Sequence, residues 1–217
     1  MSTRIDASVS RVQLLGALPS AWAQSIVTSP TRHELEHDAD AVFSVLQRVL
    51  RDDGTLWLFC SGQQLPEMLE RSGWQRQAVD WATPLMVDPA GRARLYLFTK
   101  APEFHYSART AELFMDTRVR KVFRRRRGRQ RSCVWSPEHR DELTRLCVLA
   151  GSSRLACGTC GAAYERGLQG DARATCGHRD GSGRCVILDP FHHPGAHARE
   201  VAERCGRTFI GLSGAER

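Results

Sequence analysis

Nowhere in the 217 residues do eighteen apolar residues run together, so the sequence contains no candidate membrane-spanning helix. The stretch MSTRIDASVSRVQLLGALPSAWAQ has no apolar core behind a basic start, which a secretory leader would need. The expectation is a soluble, cytoplasmic protein. Lysine is almost missing: Lys100 and Lys121 are the only two, so the basic excess of 31 over 24 acidic residues is nearly all arginine. A net charge of +7 favours a polyanionic partner such as nucleic acid. What is present is ordinary for a folded chain, with 41% hydrophobic and 25% charged residues, and the length suits a single core of normal size. There are eight cysteines; without a leader, and with two of them spaced Cys-x-x-Cys, they point to metal rather than disulfides.

The chain falls into three textures. Over 1–106, short apolar runs alternate with helical patterns, as in α/β proteins. Ser25 to Thr28, Thr55 to Cys60 and Arg94 to Thr99 read as buried strands. Val42, Val45, Leu46, Val49 and Leu50 share one helix face, with Asp38 near the expected start and the DDG at Asp52 to Gly54 closing it. A second helix is expected over LPEMLERSG, followed by a strand-like WQRQAVDW. Residues 107–135, with KVFRRRRGRQRS at Lys121 to Ser132, are expected to be loop. Over 136–217 order returns: Pro137 opens a helix carrying Leu143, Leu146, Cys147 and Ala150 on one face. CVILD is a strand, Ala198, Val201, Ala202 and Cys205 mark a helix that Gly206 ends, and TFIGL is a strand. No internal repeat is visible, and the three parts are expected to form one composite domain.

Cys157-x-x-Cys160, then fifteen residues, then Cys176-x-His178 gives four soft ligands at a spacing that suits tetrahedral zinc. An insertion at about 155–180, too polar to fold alone, would be stabilised by such a structural zinc knuckle. The HHPGAH stretch offers His192, His193 and His197 as a rival metal cluster, but Pro194 and Gly195 interrupt it and Asp189 is its only acidic neighbour. Surface histidines are the simpler expectation there. Cys60, Cys133, Cys147, Cys185 and Cys205 read as ordinary buried or half-buried thiols.

Taken in order, the segments resemble the S-adenosylmethionine-dependent DNA methyltransferases that modify the exocyclic amino group of adenine or cytosine, in the arrangement with the catalytic half first. IVTSP is similar to the strand entering that family's Ser/Asp-Pro-Pro-aromatic catalytic loop, and VLQRVLRDDGTLWLF to the helix and strand that follow. RLYLFTKAPEFHYS resembles a later strand and its exit, and PEHRDELTRLCVLAGSS the helix before the cofactor half. VILDPFHHPGAHAREVAERCGRTFIGLS is similar to the cofactor half, usually Asp-Pro-Phe-x-Gly-Ser-Gly-Thr-Thr with a later Gly-Arg-x-x-Ile-Gly-Ile-Glu. The resemblance implies a doubly wound, Rossmann-like α/β methyltransferase sheet: 1–106 as catalytic half, 107–135 as a short recognition-like loop, and 136–217 as cofactor half with the zinc knuckle inserted.

By that resemblance Ser29 and Pro30 are the remnant of the catalytic loop, and Asp189, Pro190, Phe191, Gly195 and Ser213 the remnant of the cofactor site. The chemistry exposes what has changed. A base swung out of the duplex presents its amino nitrogen to the cofactor's methyl in line, and catalysis is positioning plus relief of positive charge growing on that nitrogen. Thr31 replaces the loop's second proline, and Arg32 replaces the aromatic residue with a positive charge. His193 stands at the first cofactor-loop glycine and Pro194 at the serine, where backbone must pass close to ligand. Ser213 stands where a carboxylate would hold ribose hydroxyls. The expectation is an eroded, inactive relative. Arg124, Arg125, Arg126, Arg127, Arg129 and Arg131 sit where the family places its DNA-recognition segment and would make binding salt-dependent. Two alternatives stay open: an active but divergent methyltransferase, and a non-enzymatic module that binds nucleic acid or a protein partner on the same scaffold.

Overall fold

The computed structural model describes residues 10–61, 63–77, 85–88, 91–107, 134–135, 140–166, 172–178, 182–193 and 198–212. In chain order the elements are α1 (Arg11–Gly16), β1 (Ala23–Thr28), α2 (Arg32–Val49), β2 (Leu50–Ser61), α3 (Gln64–Arg71), β3 (Gln75–Gln77), β4 (Leu85–Asp88), β5 (Gly91–Thr99) and β6 (Val134–Trp135). There follow α4 (Arg140–Gly151), β7 (Leu155–Cys157), β8 (Tyr164–Arg166), β9 (Ala172–Ala174), β10 (Ser182–Arg184), β11 (Val186–Asp189), α5 (Ala198–Arg204) and β12 (Thr208–Gly211).

Among the described residues, eight strands form one mixed sheet in the order β12-β11-β1-β2-β5-β4-β6, with β3 also paired to β5. The neighbours β12, β11, β1 and β2 are parallel, and β5 runs against β2. From the central pair, β1 leads through α2 to β2 on one side, while β11 leads through α5 to β12 on the other. Right-handed crossovers in opposite directions must place α2 and α5 on opposite faces. The core shows this directly, because the strands alternate between two clusters with the two-residue period of a pleated sheet. Ile26, Leu56, Leu58, Tyr96, Phe98 and Leu188 pack under α1, α2 and α3. Val27, Trp57, Phe59, Leu95, Leu97 and Ile187 pack under α4 and α5. Both faces are covered, which is why these strands read as continuous apolar runs.

The expected strands and helices are present, with four differences. α2 begins at Arg32, ahead of Asp38, because Thr31 and Glu34 form a capping box: the Thr31 hydroxyl accepts from the Glu34 amide and the Glu34 side chain accepts from the Thr31 amide. Asp52, Asp53 and Gly54 do not follow the helix as a turn. They lie inside β2, which starts at Leu50, directly after the helix. Val134 and Trp135, expected in a loop, form β6 beside β4 at the sheet edge. Of the strand-like WQRQAVDW the described part is Trp74 to Gln77, of which Gln75–Gln77 form β3. Pro137 and residues 108–133, including Arg124 to Arg127, Arg129, Arg131 and Cys133, lie outside the described residues.

α5 ends as its sequence indicates. Gly206 takes φ +74°, and the Arg207 amide reaches back to the Ala202 carbonyl at 3.0 Å, closing a Schellman-type cap. Arg207 then turns its buried guanidinium onto Ser152 O at 2.7 Å and onto Cys205 O, tying together the ends of α4 and α5. No helix among the described residues is long and apolar enough to cross a membrane.

Candidate functional site

In an open α/β sheet the ligand crevice lies beyond the carboxyl ends of the strands, where the crossovers diverge. Here that point is the β1–β11 pair, and Ser29–Pro30 leaves one strand while Pro190–Phe191 leaves the other. Ser25 is registered with Ile187 and Ile26 with Leu188. The buried Thr28 hydroxyl donates to Asp189 Oδ1 at 2.6 Å, binding the two ends together. The Phe191 amide donates to the same oxygen at 3.2 Å, so Asp189 organises its own turn. The structure thus brings Ser29 and Pro30 beside Asp189, Pro190 and Phe191. Gly195 and Ser213 lie outside the described residues, as do Pro194 and His197.

Side chains of the protein itself converge on this crevice. Phe191 is buried, and the Arg11 guanidinium lies 4.5 Å from its ring centroid. Arg11 also donates to Glu34 Oε1 at 2.7 Å. The other Glu34 oxygen accepts from the Thr31 amide at 2.8 Å and the Thr31 hydroxyl at 2.9 Å, and lies 3.3 Å from His193 Nε2. Arg11 and Glu34 are each only 13% exposed, so the pair is less screened than a surface ion pair. Both Glu34 oxygens are engaged by protein groups. Thr31, expected as a defect in a catalytic loop, is here the first link of a helix cap. Arg32 is the first residue of α2.

His192 fills the adjoining space. Its ring meets Phe209 edge-on with centroids 5.2 Å apart, and its Nδ1 lies 3.6 Å from Asp189 Oδ2. Gly211 in β12 accommodates it: a Cβ there would stand 2.6 Å from His192 Cγ. His192 and His193 therefore lie near different carboxylates, and among the described residues neither joins a group of three metal-ligating side chains. Sequence reasoning missed Arg11 and Glu34. The Thr31-x-x-Glu34 spacing was a readable signal for the second; nothing local marked the first.

The four knuckle residues do meet. One ligand atom each from Cys157, Cys160, Cys176 and His178 lies within 4.8 Å of the others. Tetrahedral zinc with sulfur at about 2.3 Å requires ligand separations near 3.8 Å, so the donor set and spacing fit that ion with little movement. The turn that carries Cys157 and Cys160 is tight: Gly161 takes φ +69°, and its amide donates to the Cys157 carbonyl at 2.8 Å. The Cys160 amide, with help from that of Thr159, draws the Cys157 thiol down to about 6, toward the thiolate that a metal requires. Cys176 receives the His178 amide, yet desolvation and the neighbouring Cys160 and Cys157 hold it above the usual range; a cation at the centre would reverse that repulsion. By contrast, burial raises the Cys60 thiol to about 12 and Cys185 to about 11, and lifts Cys147 as well. These, with half-buried Cys205, are unpaired thiols, and the three raised ones are chemically quiet.

No protein-family model matches this sequence, and no curated protein does either. Solved structures do. TTHA0409 from Thermus thermophilus, assigned as a DNA modification methylase, superposes with a TM-score of 0.56 over 94% of this chain and 86% of that one, at 14% identity; it has also been solved complexed with S-adenosyl-L-methionine. M1.HpyAVI gives a TM-score of 0.52 at 11% identity, covering 94% of this chain and 88% of the other. The cytosine-N4-specific PvuII DNA methyltransferase gives 0.54 at 11% identity, covering 94% and 79%. The chain has the fold of DNA modification methylases.

Proposed function

We propose, from that fold, that this chain is a DNA-methyltransferase-like protein that binds DNA and transfers no methyl group. The observation that carries the second half is the cluster of Arg11, Glu34, Thr31, His193 and Phe191 at the switch point. A cofactor in this crevice would need acceptors for its hydroxyls and space above the β11 turn. The nearest carboxylates are already bonded, Glu34 to Arg11 and Thr31 and Asp189 to Thr28 and the Phe191 amide. A guanidinium stacked on a buried aromatic ring contributes up to about 2 kcal/mol, and an incoming ligand must displace it. The eroded Thr31-Arg32 and His193-Pro194 positions support the same reading from the sequence side. The charge of +7 and the arginines at 124–131 support DNA as partner, through phosphates rather than base edges. In this reading Cys157, Cys160, Cys176 and His178 hold a structural zinc.

Two measurements test the proposal. Titration of the protein with S-adenosylmethionine in a calorimeter is expected to give no binding heat. Incubation with labelled cofactor and mixed-sequence DNA is expected to leave the DNA unlabelled. Methyl incorporation that Ser29→Ala abolishes would overturn the reading and establish an active enzyme.

A further inference from the structure

The start of β2 is irregular. Ala23 pairs with Leu50 while Ser25 pairs with Thr55, so Arg51 to Gly54 bulge out between two pairs that stand only two positions apart on β1. Gly54 permits this, since a Cβ there would lie 2.7 Å from Leu50 Cδ1 and 2.9 Å from the Gln24 carbonyl. A bulge re-aims the side chains it carries, and here it sends Arg51 toward the cysteine turn. Arg51 Nε donates to Asp53 Oδ1 at 2.8 Å, which fixes the guanidinium, and Nη1 donates to the carbonyl of Cys160, 109 positions away in sequence. The neighbouring Gly161 lies close under the same guanidinium, since a Cβ there would stand 3.2 Å from Arg51 Nη1.

The peptide joining Cys160 to Gly161 is therefore held at both ends. Its carbonyl accepts from Arg51, and its amide donates to the carbonyl of Cys157 at 2.8 Å. Hydrogen bonds linked through one peptide reinforce each other, and this peptide sets the separation of two of the four ligands. Groups behind the ligands commonly govern how tightly a metal is kept. Further contacts join the same regions: Gln24 Oε1 accepts from the Ser153 amide at 3.2 Å and from the Cys185 thiol. The knuckle thus sits on the amino ends of β1 and β2, at the opposite end of the sheet from the crevice.

We propose that Arg51 positions the metal ligand Cys160, and that the bound metal in turn clamps the knuckle of the C-terminal half onto the start of β2 in the N-terminal half. The inference rests on the reading of the four ligands as a zinc centre. Its test uses the full chain loaded with zinc. Zinc release to a chromogenic chelator is followed in the wild type, Arg51→Ala, Arg51→Lys and Arg48→Ala. Arg48 is the control, because it bonds the carbonyls of Leu15, Gly16 and Leu18 instead of the knuckle. Arg51→Ala is expected to release zinc about 10 to 100 times faster, Arg51→Lys at an intermediate rate, and Arg48→Ala at the wild-type rate. Amide exchange over residues 50–54 is expected to quicken when zinc is removed from the wild type, and to be equally fast with or without zinc in the Arg51 variants. Wild-type release rates in Arg51→Ala, or exchange over 50–54 that ignores zinc in the wild type, would overturn the clamp. A protein that binds no zinc at all would remove the metal centre itself, a different outcome from zinc held equally well without Arg51.

Discussion

Replacing Glu34 separates the two duties the structure gives it. In Glu34→Ala the capping box loses its returning arm, worth about 1 kcal/mol in comparable caps. The charge-assisted bond from Arg11, 2.7 Å long between side chains 13% exposed, is lost too, at roughly 1.5–3 kcal/mol. The combined cost is about 3 kcal/mol, with sub-additivity expected among touching groups. Glu34→Gln keeps an oxygen for the Thr31 amide and loses only the charge, so about 1–2 kcal/mol is expected. Urea unfolding measures both, provided the slope is unchanged between variants. The cycle Arg11→Ala, Glu34→Ala and the double variant isolates the pair, with an expected coupling of about 1–2 kcal/mol. A coupling near zero, with Glu34→Ala costing under about 0.5 kcal/mol, would show that Arg11 does not rest on Glu34 in solution. The crevice would then be open, and the argument for inactivity would lose its physical basis.

The purified protein is expected to contain about one zinc per chain, and Cys157→Ser with Cys160→Ser to abolish it; metal analysis after dialysis decides between this and an unchanged content. DNA affinity is expected to fall steeply with salt and to ignore sequence, and alanine at Arg124, Arg125, Arg126 and Arg127 should flatten the slope in a filter-binding titration. Stability should fall below about pH 6.5 in part through His105, whose pKa burial lowers from 6.5. Since the folded state disfavours its protonation, the contribution is complete above the unfolded value and is lost as pH drops from there through the folded one. His105→Gln should flatten that part of the profile in thermal melts across pH.

Period and composition made most of the sheet readable. Val27 and Ile26, or Leu95 and Tyr96, belong to opposite core faces, and strands buried on both sides appear as unbroken apolar runs. The carboxyl ends of β1 and β11 followed from the same pattern once the segments were ordered. What stayed hidden is held by contacts distant in sequence. Arg11 meets Glu34 across 23 positions, and Arg51 meets Cys160 across 109, while each of these arginines looks locally like any solvated charge. The start of α2 was hidden differently. Thr31-Arg32-His33-Glu34 matches a capping box, but the same residues also resemble a catalytic loop, in which Thr31 stands in place of a proline.

That double reading of Thr31 leads to a prediction about reversing the changes. If the crevice residues were merely decayed, restoring the loop by Thr31→Pro and the cofactor turn by His193→Gly would be neutral or favourable to the fold. The structure says otherwise. Thr31 has φ −75°, which proline tolerates, so backbone geometry is no obstacle. The loss is in hydrogen bonds: proline removes the amide that reaches Glu34 at 2.8 Å, and with it the hydroxyl that reaches Glu34 at 2.9 Å and receives the Glu34 amide at 3.3 Å. Losing the cap should cost about 1 kcal/mol. His193→Gly then removes another neighbour from the same carboxylate and frees backbone in the turn, adding roughly 0.5–1 kcal/mol. The restored protein should therefore unfold at lower urea with an unchanged slope, and gain cofactor binding only when Arg11→Ala also clears the ring of Phe191. Calorimetry on the restored chain with and without Arg11→Ala separates the cases. Binding that appears without removing Arg11 would show that loop erosion alone, not the guanidinium on Phe191, keeps the crevice shut.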